Sequence, residues 1–404
     1  MTAADLAGLG TPLRPGDPPP PAPGRPWPLP ADAEPAAAPR RPPAVDSLTA
    51  VRGLAAVWVV LFHFKADLHA LLPLDWAAPL IARGHLAVPL FFVLSGYVLA
   101  LNYAAAFGRG LTASGTKEFL LRRLIRIYPL HLATLLGTAV MAAVGTRLGG
   151  TPDPEKYGLV DFLLNLALVH AWVPFYEQAW NYPSWSISAE WFAYLLFPPL
   201  AAGLWRVSAG SRGRAAVGLV AGLALAATLA IALFWGAFGL PYAMPASVVG
   251  PFTVGAAAWV FQARATNPWR PPGWTLWAAV LLLVVGASLP GYRRAAAATL
   301  IASVGVVVLL GAAGDRSPRA FRWGPLAALG EASYALYLTH AMAQKVLYTL
   351  LPAGRFDESA LAVRLGVIAA YVAVIAAAAW LAQATIERRV VPWLRRRATV
   401  RRPG

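Results

Sequence analysis

The sequence predicts an all-α polytopic membrane helix bundle with about ten transmembrane helices. Of its 404 residues, 58% are hydrophobic and only 13% are charged, whereas a soluble domain carries about 25% charged residues. Eleven apolar segments follow one another along the chain, and most reach or approach the roughly 20 residues needed to cross a bilayer. Arginines are concentrated in short loops between these segments, which is typical of membrane proteins.

The apolar segments lie near residues 47–67, 85–106, 127–146, 160–173, 186–205, 215–237, 242–262, 274–290, 296–312, 325–350 and 360–383. The segment at 160–173 is too short to span comfortably and contains Asn165 and His170. We therefore expect ten spans and a re-entrant, interfacial or internally buried segment near 160–173.

The distribution of Lys and Arg predicts the orientation. With ten spans, the loops and termini on one side of the membrane carry 24 basic residues, and those on the other side carry 7. Counting 160–173 as a span would reverse every later loop and remove this bias. Because basic loops are retained in the cytoplasm, both termini are predicted to be cytoplasmic.

Composition separates two tails from the membrane domain. Residues 1–45 hold 14 of the 36 prolines and lack a long apolar run, which predicts a disordered cytoplasmic tail without a signal peptide. The membrane domain is expected over 46–385 and a basic cytoplasmic tail over 386–404.

Composition also excludes several kinds of site. The net charge of +16 reflects loop arginines, so a lipid bilayer rather than a nucleic acid is expected as partner. There is no cysteine, which excludes thiolate chemistry. The spacing of the six histidines predicts no metal site, and no nucleotide-binding glycine loop is present.

Arg52 and His63 are the most informative pair of residues. They lie eleven positions apart in one apolar helix candidate, which is about three turns, so they share a face. Arg52 is expected at the mouth of a span and His63 near mid-depth, where ionisable residues are costly and commonly functional. A packing histidine and a snorkelling boundary arginine remain the alternatives.

A second candidate is the stretch FLLRRLIRIYP. Arg123 and Arg126 are three residues apart and meet on one helical face before the third span, with Pro129 expected to shape the helix start. Forked guanidinium groups suit phosphate recognition. The alternative is ordinary cytoplasmic loop charge.

Two further stretches carry polar side chains inside apolar helices. Ser186, Glu190 and Tyr194 form a stripe at i, i+4 and i+8. Glu190 could orient a histidine, pair with an arginine or bind a substrate, and a structural ion pair is the alternative. In GEASYALYLTH, Tyr337 and His340 could line a polar cavity or lie at the membrane boundary. Ser95 and Gly96, by contrast, form a small pair that predicts close helix packing.

The order of these motifs resembles that of acyltransferase family 3, the integral-membrane acyltransferases that modify bacterial surface sugars and some antibiotics. The matching stretches are DSLTAVRGLAAVWVVLFHF, LFFVLSGYVL, RRLIRIYP and NYPSWSISAEWFAYLLFP, with GEASYALYLTH as a weaker fifth. The resemblance covers about residues 45–385 and implies a stand-alone enzyme of the bacterial inner membrane.

The resemblance implies O-acyl transfer from acyl-CoA, with acetyl-CoA expected, to a hydroxyl of a cell-surface or exported carbohydrate or similar acceptor. It implies His63 as the catalytic histidine with Arg52 as its partner, and Glu190 as a functional acid. Arg123 and Arg126 would handle the acyl donor, a co-substrate rather than a bound cofactor. Substrate contacts are expected from four further side chains, namely Ser186, Tyr194, Tyr337 and His340.

Two chemical routes remain open at this stage. His63 could take the proton from the acceptor hydroxyl as it attacks the thioester, or the acyl group could pass first to His63. Arg52, Ser186 or a backbone N–H are candidate oxyanion donors. Two other functions compete: a transporter or flippase with His63 and Glu190 as proton-relay groups, and a scaffold or sensor in which the polar residues only tie helices together.

The predicted topology can be tested with reporter fusions. A fluorescent protein inserted in the loop at 206–214 is expected to fluoresce and alkaline phosphatase to be inactive there, because this loop is predicted to face the cytoplasm. The opposite pattern would contradict the ten-span topology.

Overall fold

The computed structural model describes residues 43–149, 153, 156–173, 179–235, 244–266 and 269–400. The predicted disordered tail lies almost wholly outside these residues. The helices in the first half are α1 (Pro43–His63), α2 (Lys65–Leu71), α3 (Ala78–Ile81), α4 (Val88–Arg109), α5 (Ala113–Arg147), α6 (Leu159–Leu166) and α7 (Trp185–Val207). Those in the second half are α8 (Gly213–Phe234), α9 (Met244–Ala263), α10 (Gly273–Ser288), α11 (Tyr292–Ala313), α12 (Gly324–Leu350), α13 (Leu361–Ala382) and α14 (Val391–Val400). The described ranges contain no strand, which confirms the all-α fold.

Ten long helices coincide with the ten apolar segments predicted to span. Within the described ranges, seven helical stretches are both long and apolar enough to cross a membrane, and the helices at 247–263 and 273–288 are apolar but shorter. The remaining long helix, α12, carries the polar residues of the GEASYALYLTH stretch. The chain is therefore a polytopic helix bundle, while its orientation in the membrane stays a prediction.

The segment at 160–173 does not cross the bundle. Its helix α6 has eight residues, far fewer than the roughly 20 of a span. Helices α5 and α7 run in opposite directions, because Phe119 stacks on Phe197 (5.3 Å between ring centroids) while His131, farther along α5, stacks on His170 beside the start of α7. The segment between α5 and α7 therefore enters the bundle from the side on which α5 ends and leaves it on the same side.

Buried hydrogen bonds fix this returning segment. His131 Nε2 donates to the carbonyl oxygen of Asn165 (2.8 Å), and Ser184 Oγ donates to Asn165 Oδ1 (3.1 Å). His131, Asn165 and Ser184 are all fully buried. Since buried polar groups must be satisfied internally, this cluster has a structural role.

Glycines bring two pairs of helices into backbone contact. A Cβ at Gly330 of α12 would collide with the carbonyl oxygen of Thr49 in α1, and a Cβ at Gly53 would lie 2.7 Å from the backbone nitrogen of Gly330. Gly96 of α4 and Gly255 of α9 form the equivalent crossing, which confirms the predicted close approach at Gly96. Small residues allow such approach in membrane bundles.

The prediction that Pro129 shapes a helix start is wrong. Helix α5 begins at Ala113, where Thr112 Oγ1 accepts a hydrogen bond from Gly115 N (3.1 Å), and Pro129 lies in its interior. Membrane helices tolerate proline because neighbouring groups satisfy the freed backbone. Two residues before Pro129, Tyr334 of α12 donates a hydrogen bond to the carbonyl oxygen of Ile127 (2.6 Å), which ties this part of α5 to α12.

The residues after Ala382 continue the last long helix. A π-helical segment, Gln383–Val390, leads directly into α14, so the chain is helical to Val400. Single π turns are frequent at functional sites. The residues assigned by sequence to a basic tail therefore include ordered helix that packs against α5.

The α1 crossing can be tested with matched glycine substitutions. Gly330→Ala is expected to lower stability by about 1–3 kcal/mol because the added methyl group meets backbone. Gly145→Ala in α5 adds the same group where nothing lies within 4 Å, and is expected to be neutral or stabilising. Thermal unfolding in detergent micelles measures both, and equal shifts would contradict the crossing.

Candidate active site

A polar cavity of about 190 Å³ lies between α1, α4, α5, α7 and α12. It brings together seven of the nine site residues predicted from sequence: Arg52, Arg123, Arg126, Ser186, Glu190, Tyr194 and Tyr337. These residues come from four helices far apart in the chain. His63 and His340 are not among the residues that line the cavity.

Hydroxyl groups, rather than a charged partner, hold Glu190. Its Oε1 accepts hydrogen bonds from Ser95 Oγ and from Tyr194 OH, both at 2.6 Å. Among the described residues, neither His63 nor an arginine reaches the Glu190 carboxylate within ion-pair distance. The alternatives in which Glu190 orients His63 or forms a structural ion pair therefore do not match the geometry.

Ser95, which the sequence predicts to serve helix packing, is instead a residue of the cavity wall. It lines the cavity beside Glu190, one position before the glycine that does serve the α4–α9 crossing. A serine next to a helix-packing glycine carries no separate sequence signal, so its partner on α7 is visible only in the structure.

Arg123 and Arg126 share the predicted face but differ in their partners. Arg123 donates to Tyr103 OH (3.1 Å), and its buried Nε has no acceptor in the described part of the chain. Arg126 forms an ion pair with Glu387 (2.7 Å), whose side chain is 8% exposed. The charge of Arg123 is thus left without a carboxylate, whereas Glu387 compensates that of Arg126.

Arg52 links α1 to α12. Its Nη2 donates to the carbonyl oxygen of Gly330 (2.7 Å), and its Nε donates to Ser333 Oγ (3.0 Å). The guanidinium group therefore secures the glycine crossing while it also lines the cavity.

His63 lies behind the cavity wall. It is the last residue of α1, so it lies at the end of the helix rather than in its interior. Its ring stacks on that of His340 at 4.9 Å and contacts Tyr182 at 4.8 Å. His340 is fully buried, and neither of its ring nitrogens has a hydrogen-bond partner in the described ranges.

Tyr337 connects this histidine pair to the cavity. Its ring centroid is 5.9 Å from that of His340, and its hydroxyl accepts a hydrogen bond from Ser186 Oγ (2.9 Å). Tyr337 in the cavity wall thus contacts His340, and His340 in turn contacts the half-buried imidazole of His63.

The cavity is electropositive and lacks metal-ligand geometry. Three guanidinium groups and one carboxylate line it, an arrangement that favours an anionic ligand. In the part of the chain that the structure describes, no three His, Cys, Asp or Glu side chains cluster as metal ligands do.

The Arg126–Glu387 pair can be tested by matched substitutions. Glu387→Gln is expected to lower stability by about 2 kcal/mol, because it leaves a largely buried guanidinium charge uncompensated. Glu118→Gln removes the i,i+4 partner of Arg122 (2.8 Å) and is expected to cost about 0.5 kcal/mol. Unfolding in detergent measures both variants. Equal losses of unfolding free energy would contradict a special contribution of the buried Glu387 contact.

Comparisons with known proteins identify the family of this chain. A family model described as an acyltransferase domain matches residues 45–383. Acyltransferase MdmB of Streptomyces mycarofaciens is 31% identical over 327 residues, which is 74% of this chain and 78% of that protein. Protein 2 in the picA locus of Rhizobium radiobacter is 36% identical over 118 residues, covering 28% of this chain and 54% of that protein. No solved structure shows a significant match. The chain therefore belongs to acyltransferase family 3 and is an acyl-transferring membrane enzyme.

Proposed function

We propose that the enzyme transfers an acyl group, expected to be acetyl, from acyl-CoA to a hydroxyl of a cell-surface or exported carbohydrate or similar acceptor. The observation that carries this proposal is the electropositive cavity that Arg123 and Arg126 line together with Ser186 and Glu190. The arginines suit an anionic acyl donor, and the serine and glutamate side chains can hydrogen-bond an acceptor hydroxyl.

The acyl donor would enter from the end of the cavity that contains the arginines. Coenzyme A is anionic and cytosolic, and in the predicted topology Arg123 and Arg126 lie toward the cytoplasm. Arg123 has no carboxylate partner within the described ranges, so its charge is available to the donor. The thioester would then lie near Ser186, farther into the bundle.

The acceptor hydroxyl would be activated by His63. A neutral imidazole at this position can take the hydroxyl proton as the oxygen attacks the thioester carbonyl. The His63 side chain is half-buried, and in this proposal the acceptor would reach it from the side opposite the arginines. Tyr337 forms part of the cavity wall and His340 lies beside it, so the acceptor hydroxyl would lie between the His63 ring and the Tyr337 side chain.

Charge that develops on the thioester oxygen needs hydrogen-bond donors. Ser186 Oγ lines the cavity next to Tyr337, and the Arg52 guanidinium lies at the same cavity. The Arg52 guanidinium is held by Gly330 and Ser333, and a guanidinium group has several N–H groups to donate, which suits preorganised electrostatic stabilisation. Ser186 would first have to release the hydrogen bond that it donates to Tyr337. Glu190 would bind the acceptor together with Tyr194 and Ser95.

The proposed location is the bacterial inner membrane, with both termini in the cytoplasm. The excess of arginine on the terminal side supports this orientation. Donor and acceptor would then approach from opposite faces of one bundle.

Substitution of His63 tests the proposed function. His63→Ala is expected to lower acyl transfer at least about 100-fold, because it removes the general base, and His69→Ala is the control because the His69 side chain is 68% exposed. Mass spectrometry of surface glycans from deletion strains complemented with each variant measures the product, and membrane immunoblots check protein levels. Near-normal acylation with His63→Ala would contradict the proposal.

A further inference from the structure

A second polar cavity adjoins the first at the side of the C-terminal helical segment. Its volume is about 380 Å³. Arg52, Leu94, Val98 and Arg126 line both cavities, so these side chains form the boundary between an inner cavity, which contains Ser186 and Glu190, and this outer cavity. The Arg126–Glu387 ion pair lies at that boundary.

One face of the C-terminal segment forms a wall of the outer cavity. The contributing residues are Gln383, Glu387, Arg388, Val391, Pro392 and Arg395. From Gln383 to Arg395 they recur every three or four residues, with Glu387 next to Arg388 and Val391 next to Pro392, which is the pattern of a single helical face. The segment thus presents a continuous surface to the cavity, across the junction between the π turn and α14.

The outer cavity has an excess of positive charge. Its lining includes four guanidinium groups, from Arg52, Arg126, Arg388 and Arg395, and two carboxylates, from Glu331 and Glu387. The Glu387 carboxylate already pairs with Arg126. Arg388 and Arg395 line the cavity and are exposed. They lie seven residues apart, or about 10 Å along a helix.

The size of the inner cavity requires a second site for a nucleotide thioester. At about 190 Å³ it is smaller than the roughly 300–1,000 Å³ of pockets that enclose drug-sized ligands. It can hold the reacting end of such a donor but not its phosphates. The adjoining cavity of about 380 Å³ is the continuation in which those phosphates would lie.

We propose that the outer cavity is the phosphate subsite of the acyl donor, with Arg388 and Arg395 as phosphate ligands and Arg126 at the passage to the inner cavity. Guanidinium groups bind phosphate oxygens through paired, charge-assisted hydrogen bonds. This inference rests on acyl-CoA being the donor. It assigns a binding role to residues that the sequence places in a tail.

Binding of coenzyme A and of pantetheine, which has the same arm without the phosphates and the adenosine, tests this subsite. The double variant Arg388→Gln/Arg395→Gln of the full-length protein is expected to raise the Kd for coenzyme A about tenfold per substitution. Its Kd for pantetheine should not change, since pantetheine has no phosphate. Isothermal titration calorimetry in detergent micelles measures both constants.

The matched control is Arg389→Gln/Arg396→Gln. These residues are also exposed and seven apart but do not line the cavity, so the same loss of charge should change the coenzyme A Kd by less than about twofold. Three results would each overturn the subsite. The two double variants could lose equal affinity for coenzyme A, or Arg388→Gln/Arg395→Gln could leave its Kd unchanged. The third is a wild-type protein that binds coenzyme A no better than pantetheine.

Transfer assays separate failure of the subsite from failure of the proposed function. Membranes of a deletion strain supply the acceptor, and labelled acetyl-CoA or acetyl-pantetheine supplies the donor. The Arg388→Gln/Arg395→Gln variant should lose the preference for acetyl-CoA and retain transfer from acetyl-pantetheine. Wild-type transfer from acetyl-CoA with no loss in the variant would overturn only the subsite, whereas no wild-type transfer from either donor would count against the function itself.

Discussion

The backbone contact between α1 and α12 positions Arg52 at the cavity and brings the imidazoles of His63 and His340 together. The two helices run in the same direction, because Arg52 contacts Gly330 near their beginnings and Gln344 Nε2 donates to the carbonyl oxygen of His63 (2.6 Å) near their ends. His63 follows Gly53 by ten residues, and His340 follows Gly330 by ten residues. At 1.5 Å of rise per residue both imidazoles lie about 15 Å beyond the crossing, which explains why they stack.

The cavity beside this crossing concentrates charges that are costly inside a membrane protein. The structure reduces that cost in two ways. Glu387 neutralises Arg126, and hydroxyl donors on two helices satisfy Glu190. Arg123 is the exception, because its Nε is buried without an acceptor among the described residues. An anionic ligand would supply the missing partner, so the electrostatics of the site are consistent with an enzyme that binds an acidic co-substrate.

The sequence predicts which residues belong to the site better than it predicts which of them contact one another. Helical periodicity correctly places Ser186, Glu190 and Tyr194 on one face, and the length of 160–173 correctly excludes a span. Periodicity describes one helix at a time, however, so it does not reveal that Ser95 reaches Glu190 from α4. It also gives no signal for Glu387, which contacts Arg126 across 261 positions, nor for the two rings that separate His63 from the cavity. These contacts depend on how helices cross, which local sequence does not encode.

In the proposed mechanism the donor enters the inner cavity from the arginine side and presents its acyl group toward His63. A cryo-electron microscopy structure with a non-hydrolysable acetyl-CoA analogue measures this directly. We expect the acetyl end to lie between Arg123 and Ser186, with the remaining chain passing Arg126. An analogue bound elsewhere, for example in the apolar cavity between α8 and α9 that Gly218 and Trp259 line, would contradict it.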